Sequence, residues 1–305
     1  MRVLVVGAGA VGGYFGGRLL EKGEDVTFLV RERRKKQLEE RGLVIQSVHG
    51  DAQLTPKTLI AGERAGRFDL VILSNKAYHL QEAIRDVKPY VEEGTIILPL
   101  LNGMAHMELL WREFGKENVL GGLCFIETTL DEEGSIIQTS PVHDVKFGEW
   151  SGAVTERVQR LEQLFSNCNA RFHLSERIVT DMWHKYLFIA AMSGVTTLFR
   201  APIGLVLSGE YGQEIVLSLL KEIGGIMRAH GAPIAEDIEE RQWAQMREMS
   251  PETKSSMLRD MEKGQMVEAD HLQGHLLEIA KYHQIDAPLL KAVYHHLELY
   301  EQQKG

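Results

Sequence analysis

A short β-branched run, Arg2–Val6, ends directly in Gly7-Ala8-Gly9-Ala10-Val11-Gly12, and this turn opens a helix-periodic stretch, Ala10–Lys22, that closes at Gly23. Few local patterns constrain a fold as tightly. In a strand–turn–helix, the first glycine permits the tight turn, the second lets backbone approach a pyrophosphate, and the third lets the helix lie close on the strand. The helix N-terminus then presents unpaired N–H groups to phosphate. A bare glycine-rich turn shares the spacing; the strand before and the helix after distinguish the dinucleotide-binding case. The same segment is too rich in glycine for a signal peptide, and Arg18, Glu21 and Lys22 follow without a cleavage site, so it reads as mature structure.

The chain downstream keeps alternating between strand and helix periods. Asp25–Arg31 reads as a strand, Glu32–Arg41 as a helix closed by Gly42, and Leu43–Ser47 as a further strand. Asp69–Ser74 and Thr95–Leu100 are apolar enough for buried strands, with helices over Tyr78–Val87 and Met104–Phe114. This βαβ alternation predicts a parallel, doubly wound sheet. Val119–Trp150 changes to strands around the turn Asp131-Glu132-Glu133-Gly134, a hairpin or meander that finishes the first domain, followed by an amphipathic Glu156–Phe165 and a short strand over Ala170–His173. From Glu176 to Gln303 nearly everything reads as helix, broken at Pro202, Gly209–Gly212, Gly231–Pro233, Pro251 and Pro288. The fold class is therefore α/β, an N-terminal Rossmann-type sheet over residues 1–170 with an all-helical C-terminal domain over 171–305.

Composition excludes several functions. The 34 basic residues are outweighed by 43 acidic ones, for a net charge of −9, which does not suit a surface built to wrap nucleic acid. Two cysteines, Cys124 and Cys168, cannot build a disulfide framework, so a cytoplasmic setting is expected. The most apolar stretch, Tyr186–Phe199, is one core helix long and contains Ser193, Thr196 and Thr197, so no membrane span is expected. His271 and His275 are four apart on a helix, but no acidic or cysteine partner at diagnostic spacing completes a metal set, and none is expected.

The end of the second strand selects the dinucleotide. A carboxylate about 20 residues past the glycines would accept from a ribose 2′-OH. Here Arg31 stands 19 residues after Gly12, opening Arg31-Glu32-Arg33-Arg34-Lys35-Lys36. A guanidinium there pairs with a 2′-phosphate that a carboxylate would repel, so NADP(H) is expected, with Arg31 as selector. Glu32 could take the NAD role if the register slips by one, and a solvated basic helix start shares the pattern.

In the second half, Asp181, Lys185, Ile189 and Ser193 share a helix face. Lys185 stands among Trp183, Tyr186, Leu187 and Phe188; covered, it would be desolvated and suited to give up a proton near neutral pH. A surface lysine lying along apolar neighbours fits the same letters.

With these residues in place the chain resembles the ketopantoate reductases (2-dehydropantoate 2-reductases) along almost its whole length. The resemblance rests on Gly7-x-Gly9-x-x-Gly12, Ser74-Asn75-Lys76-Ala77-Tyr78, Asn102-Gly103-Met104, Trp183-x-Lys185, and Ser255-Ser256-Met257-Leu258-x-Asp260 with Glu268-x-Asp270-x-x-x-Gly274. It implies NADPH-dependent reduction of a small 2-oxo acid, 2-dehydropantoate, for pantothenate and coenzyme A synthesis, by a homodimer whose site lies between its domains. Lys185 would be the general acid and Asn102 would position lysine and nicotinamide. Gly7, Ala8, Gly9, Ala10, Val11, Gly12, Arg31 and Lys76 would hold the cofactor, together with Asn102 and Glu268. Ser256 would hold the substrate carboxylate, and Glu268 its hydroxyl end while interacting with Lys185. Taken alone, Ser256 reads as a helix cap and Glu268 as a solvated carboxylate.

The family places asparagines four and eight residues after the lysine, both reaching substrate. Here those positions hold Ile189 and Ser193. Isoleucine can neither donate nor accept, and serine reaches less far. Lost contacts to a substrate hydroxyl cost discrimination, so a different small 2-oxo acid, or an opine- or hydroxyacid-type dehydrogenase, is the rival enzyme, and a silent NADP(H) sensor the non-enzymatic alternative.

Overall fold

A computed structural model describes residues 1–304, which form two compact units. The first comprises Met1–Leu101 and His106–Ile178; the second comprises Asn102–Ala105 and the chain from Val179 onward.

The first unit is built on strands β1 (Arg2–Val6), β2 (Asp25–Leu29), β3 (Leu43–Ser47), β4 (Ala52–Leu54), β5 (Lys57–Leu59), β6 (Leu70–Leu73) and β7 (Ile96–Pro99). To these are added β8 (Gly121–Leu130), β9 (Ile136–Gly148) and β10 (Arg171–Leu174). Its helices are α1 (Ala10–Lys22), α2 (Glu32–Arg41), α3 (Leu80–Val87), α4 (His106–Phe114) and α5 (Glu156–Phe165). Five strands make one parallel sheet in the order β5-β2-β1-β6-β7, with Val3 opposite both Val26 and Leu70. Its inner strands are near-continuous Val, Ile and Leu because they are buried on both faces: Val3, Leu4, Val5, Leu70 and Val71 have no exposed surface. This is the Rossmann-type sheet that the alternation predicts.

The hairpin expected over Val119–Trp150 is present in this first unit, where it builds a second sheet. β8 and β9 form an antiparallel hairpin, and the far edge of β9 takes β3 along Ile136–Gln138 and β10 along Asp144–Phe147, with β4 antiparallel to β3. The hairpin turn is closed by Asp131, whose Oδ1 accepts from the amides of Glu133 at 3.0 Å and Ser135 at 2.8 Å. Helix α1 packs between the two sheets. A Cβ on Gly16 would lie 2.8 Å from the Phe28 ring and 2.9 Å from Val5, whereas one on Gly13 would lie 2.6 Å from Ile136 and one on Gly17 2.7 Å from Ile45. Glycines four apart thus serve one sheet and their neighbours serve the other.

The second unit contains α6 (Ile178–Phe199), most of whose length lies in it, and α7 (Ile203–Ser208), α8 (Gly212–Ala229), α9 (Ile238–Glu248) and α10 (Ser256–Glu262). A π-turn over Asp270–Gly274 leads into α11 (His275–Tyr282), and α12 (Pro288–Gln302) closes the chain. Proline stands at the first position of α12, where no amide is needed. The next free amides, Leu289 and Leu290, donate to the two carboxylate oxygens of Glu222 on α8 at 3.1 and 3.0 Å. None of the helices among the described residues is long and apolar enough to cross a membrane.

Candidate active site

The glycine turn has the shape its spacing demands. Gly7 takes φ +89°, a conformation that disfavours any side chain. Gly9 caps α1 with no side-chain bond, no acid stands in the first turn, and a Cβ on Gly9 would meet nothing within 4 Å. That open space lies where a pyrophosphate would approach the helix amides. Gly12 is the opposite case: its Cβ would lie 2.1 Å from Ser74 Oγ and 2.6 Å from the Gly7 carbonyl oxygen. One glycine provides the bend, one the approach and one the close packing, so the residues present fit a dinucleotide. Ala8, Ala10 and Val11 complete the loop.

Arg31 stands at the N-cap of α2, exposed, with its guanidinium paired to Glu82. Glu32 is exposed as the first residue of that helix. Arg34, which the sequence reading did not single out, is half-buried and donates from Nε to the Ala8 carbonyl oxygen at 3.1 Å, tying α2 to the glycine turn. Burial lowers its guanidinium from the ordinary arginine value. Lys76 follows Ser74 and Asn75 in the loop after β6, half-buried, its carbonyl accepting from Asn75 Nδ2 at 2.9 Å.

In the helical unit, Lys185 is buried, with 8% of its surface exposed, and Nζ donates to Asn102 Oδ1 at 2.9 Å. Asn102 belongs to a short turn that follows β7 in the chain but clusters with the helices. Gly103 beside it has φ +73°, and a Cβ there would lie 2.9 Å from Leu272. The histidine ring of residue 271 reaches the Asn102 carbonyl oxygen at 2.8 Å. Glu268 stands half-buried one turn before His271, and its charge opposes the burial that pushes His271 below the ordinary imidazole value.

Ile189 is partly exposed on α6, one turn beyond Lys185. Ser193 is buried, and its hydroxyl donates to the Ile189 carbonyl oxygen at 2.6 Å while accepting from Gln273 Nε2 at 2.9 Å. Gln273 has no exposed surface and also donates to the Ala190 carbonyl oxygen at 3.1 Å. The serine hydroxyl therefore serves the helix and Gln273. Thr196, further along the same helix, bonds the Met192 carbonyl oxygen and Ser255 Oγ, each at 2.7 Å. Ser256 is exposed at the start of α10, and the cap of that helix is its neighbour Ser255, whose Oγ accepts from the Leu258 amide at 3.1 Å.

His271 and Gln273 are what sequence reasoning misses: His271 and His275 show only a four-residue spacing on a helix without the partners of a metal set, and Gln273 carries no signal. Instead the His275 ring stacks on Tyr186, centroids 6.4 Å apart. Cys124 is core, and burial pushes the Cys168 thiol up to about 12.

A comparison with known families matches residues 3–152 to ketopantoate reductase PanE/ApbA and residues 177–301 to the C-terminal part of the same family. The chain belongs to the ketopantoate reductase family. It is an oxidoreductase of that family, with its Rossmann-like domain and helical C-terminal domain. A Bacillus subtilis (strain 168) protein named "Uncharacterized oxidoreductase YkpB" is 50% identical over all of both chains. The 2-dehydropantoate 2-reductase of Pyrococcus horikoshii is 28% identical over 95% of this chain and 94% of its own. Among solved structures, the 2-dehydropantoate 2-reductase of Geobacter metallireducens is 28% identical, with a TM-score of 0.89 over 98% of this chain and 99% of the other.

Proposed function

We propose that this ketopantoate reductase family member reduces 2-dehydropantoate to pantoate with NADPH, for pantothenate and coenzyme A synthesis, using Lys185 as general acid. The observation that carries the reading is the buried Lys185 ammonium aimed by Asn102 Oδ1 at 2.9 Å. An ammonium there is a donor to a ketone oxygen, and Asn102 Oδ1 fixes the direction of the lysine head. The bound nicotinamide supplies the hydride that reduces the carbonyl carbon. Lys185 gives its proton to the oxygen as negative charge develops there.

Gly7, Gly9 and Gly12 carry the pyrophosphate end. Arg31 takes the 2′-phosphate: its partner Glu82 is a surface carboxylate, and exposed pairs of this kind are worth little, so the guanidinium can be recruited. Lys76 lies toward the phosphates, Ser256 meets the substrate carboxylate, and Glu268 the far end of the substrate. In this reading the enzyme works as a cytoplasmic homodimer.

Ile189 and the engaged Ser193 hydroxyl favour a second reading, a small 2-oxo acid that needs no hydroxyl contact on this helix face. Steady-state NADPH oxidation by the purified protein separates the two, run with 2-dehydropantoate, a panel of other 2-oxo acids, and NADH alongside. Efficient turnover of 2-dehydropantoate with NADPH supports the first reading. Turnover confined to another 2-oxo acid supports the second, and NADPH binding without turnover of any would leave a binding role.

A further inference from the structure

Residues 271 to 273 lie in a π-turn, and all three reach away from their own helix. The Leu272 carbonyl oxygen accepts from the hydroxyl of fully buried Tyr186 at 2.6 Å, and Gln273 bonds Ala190 and Ser193, so the π-turn is fastened to α6 on both sides of the helix turn that follows Lys185. His271 faces the other way, with Nε2 at 2.8 Å from the Asn102 carbonyl oxygen. Asn102 in turn accepts from Lys185 at 2.9 Å. The ring, the turn and the lysine thus form one connected chain of hydrogen bonds within the helical unit. A carbonyl can only accept, so the ring must carry its proton on Nε2. Burial favours the neutral ring, against the charge of Glu268 and with that of His275. π-turns of this sort interrupt helices at functional positions, and this one supplies the offset that lets neighbouring side chains serve different partners.

We propose that His271 is a positioning residue for Lys185: by holding the Asn102 carbonyl it sets the turn that aims Asn102 Oδ1 at the ammonium. The proposal deepens the general-acid reading of Lys185 and rests on it. Gly103 belongs to the same device, because its φ of +73° and the absence of a Cβ let the turn lie against Leu272.

The test compares His271→Phe, which keeps a ring of similar size without the donor, with His271→Gln, whose amide nitrogen sits at the same number of bonds from the backbone. The full-length enzyme is assayed with NADPH and whichever 2-oxo acid the wild type turns over. His271→Phe is expected to lower kcat by about 10- to 100-fold, as misplacement of a catalytic group by an ångström does. NADPH affinity should stay within about 2-fold, and His271→Gln should recover most of the rate. Hydrogen exchange read by mass spectrometry should show faster exchange of the Asn102–Ala105 amides in His271→Phe and wild-type exchange in His271→Gln. Wild-type kcat in both variants, or an equal fall in both, would overturn the proposal. A wild type that reduces no 2-oxo acid would sink the general-acid reading instead. The exchange measurement then decides alone whether His271 holds the turn: unchanged protection in His271→Phe refutes that.

Discussion

As the proposed acid, Lys185 would draw on its burial, with 8% of its surface exposed, and on the Asn102 amide oxygen that directs its head. Replacing it with alanine should cut kcat by about 10²- to 10⁴-fold, the usual worth of a placed proton donor, with NADPH affinity nearly unchanged in a fluorescence titration. Arg31→Ala should weaken NADPH binding by about 10-fold or more, since charge-assisted bonds to phosphate are the strong ones, while NADH binding stays level. Equal losses for both nucleotides would remove Arg31 as selector. Ile189→Asn restores an amide one turn beyond the lysine. It should raise kcat/KM for a hydroxyl-bearing 2-oxo acid relative to one with a hydrocarbon side chain, and an unchanged ratio would show that this position does not meet the substrate.

At the scale of elements, α1 is the strategic piece. It presents its N-terminus at the glycine turn and packs between two sheets, and its glycines are there for lack of room. Gly16→Ala would drive a methyl group into the Phe28 ring and Val5, both held in the middle of the core. We expect a loss of about 1–3 kcal/mol in urea unfolding, the usual range for overpacking, despite alanine's better helix propensity. Gly13→Ala clashes with one atom, the terminal Cδ1 of Ile136 at 2.6 Å, while the Ala8 backbone lies at an ordinary 3.4 Å, and should cost less. Helix α12 depends on a cap borrowed from α8, and Glu222→Ala should cost about 1 kcal/mol by leaving the Leu289 and Leu290 amides to water.

At the scale of the whole molecule, one contribution to pH dependence comes from a buried cluster where α1 meets the second sheet. His143 accepts from or donates to Tyr14 Oη at 2.7 Å through Nδ1 and stacks on His49 at 3.6 Å between ring centroids. Burial, then the charges of His49 and Arg171, hold it down to about 4 from the ordinary 6.5. A histidine lowered on folding favours the fold while neutral. Its contribution is complete above about 6.5 and is lost as pH falls from there toward 4, because the unfolded chain binds the proton first. The urea midpoint of the wild type should therefore fall across that window more steeply than that of His143→Gln. Parallel curves would mean that His143 does not govern acid stability.

Local chemistry by itself determined the strand–turn–helix opening, the parallel sheet and the helical second half, because each is written in short-range periodicity and in the special backbone needs of glycine and proline. The motif blocks marked Lys185 and Asn102 by resemblance. The edge strands β4 and β5 were not legible: three residues each, half polar, they carry no period to read. Nor was the second sheet, since β9 gathers β3 and β10 from opposite ends of the first unit's sequence. The same holds at the candidate site. His271 meets Asn102 across 169 residues and Gln273 meets Ser193 across 80, and no local pattern encodes such pairs. Only tertiary packing decided that His271 meets the Asn102 carbonyl, and that the hydroxyl of Ser193 is engaged by Gln273, because a hydrogen bond between distant residues exists only once the chain has brought them together.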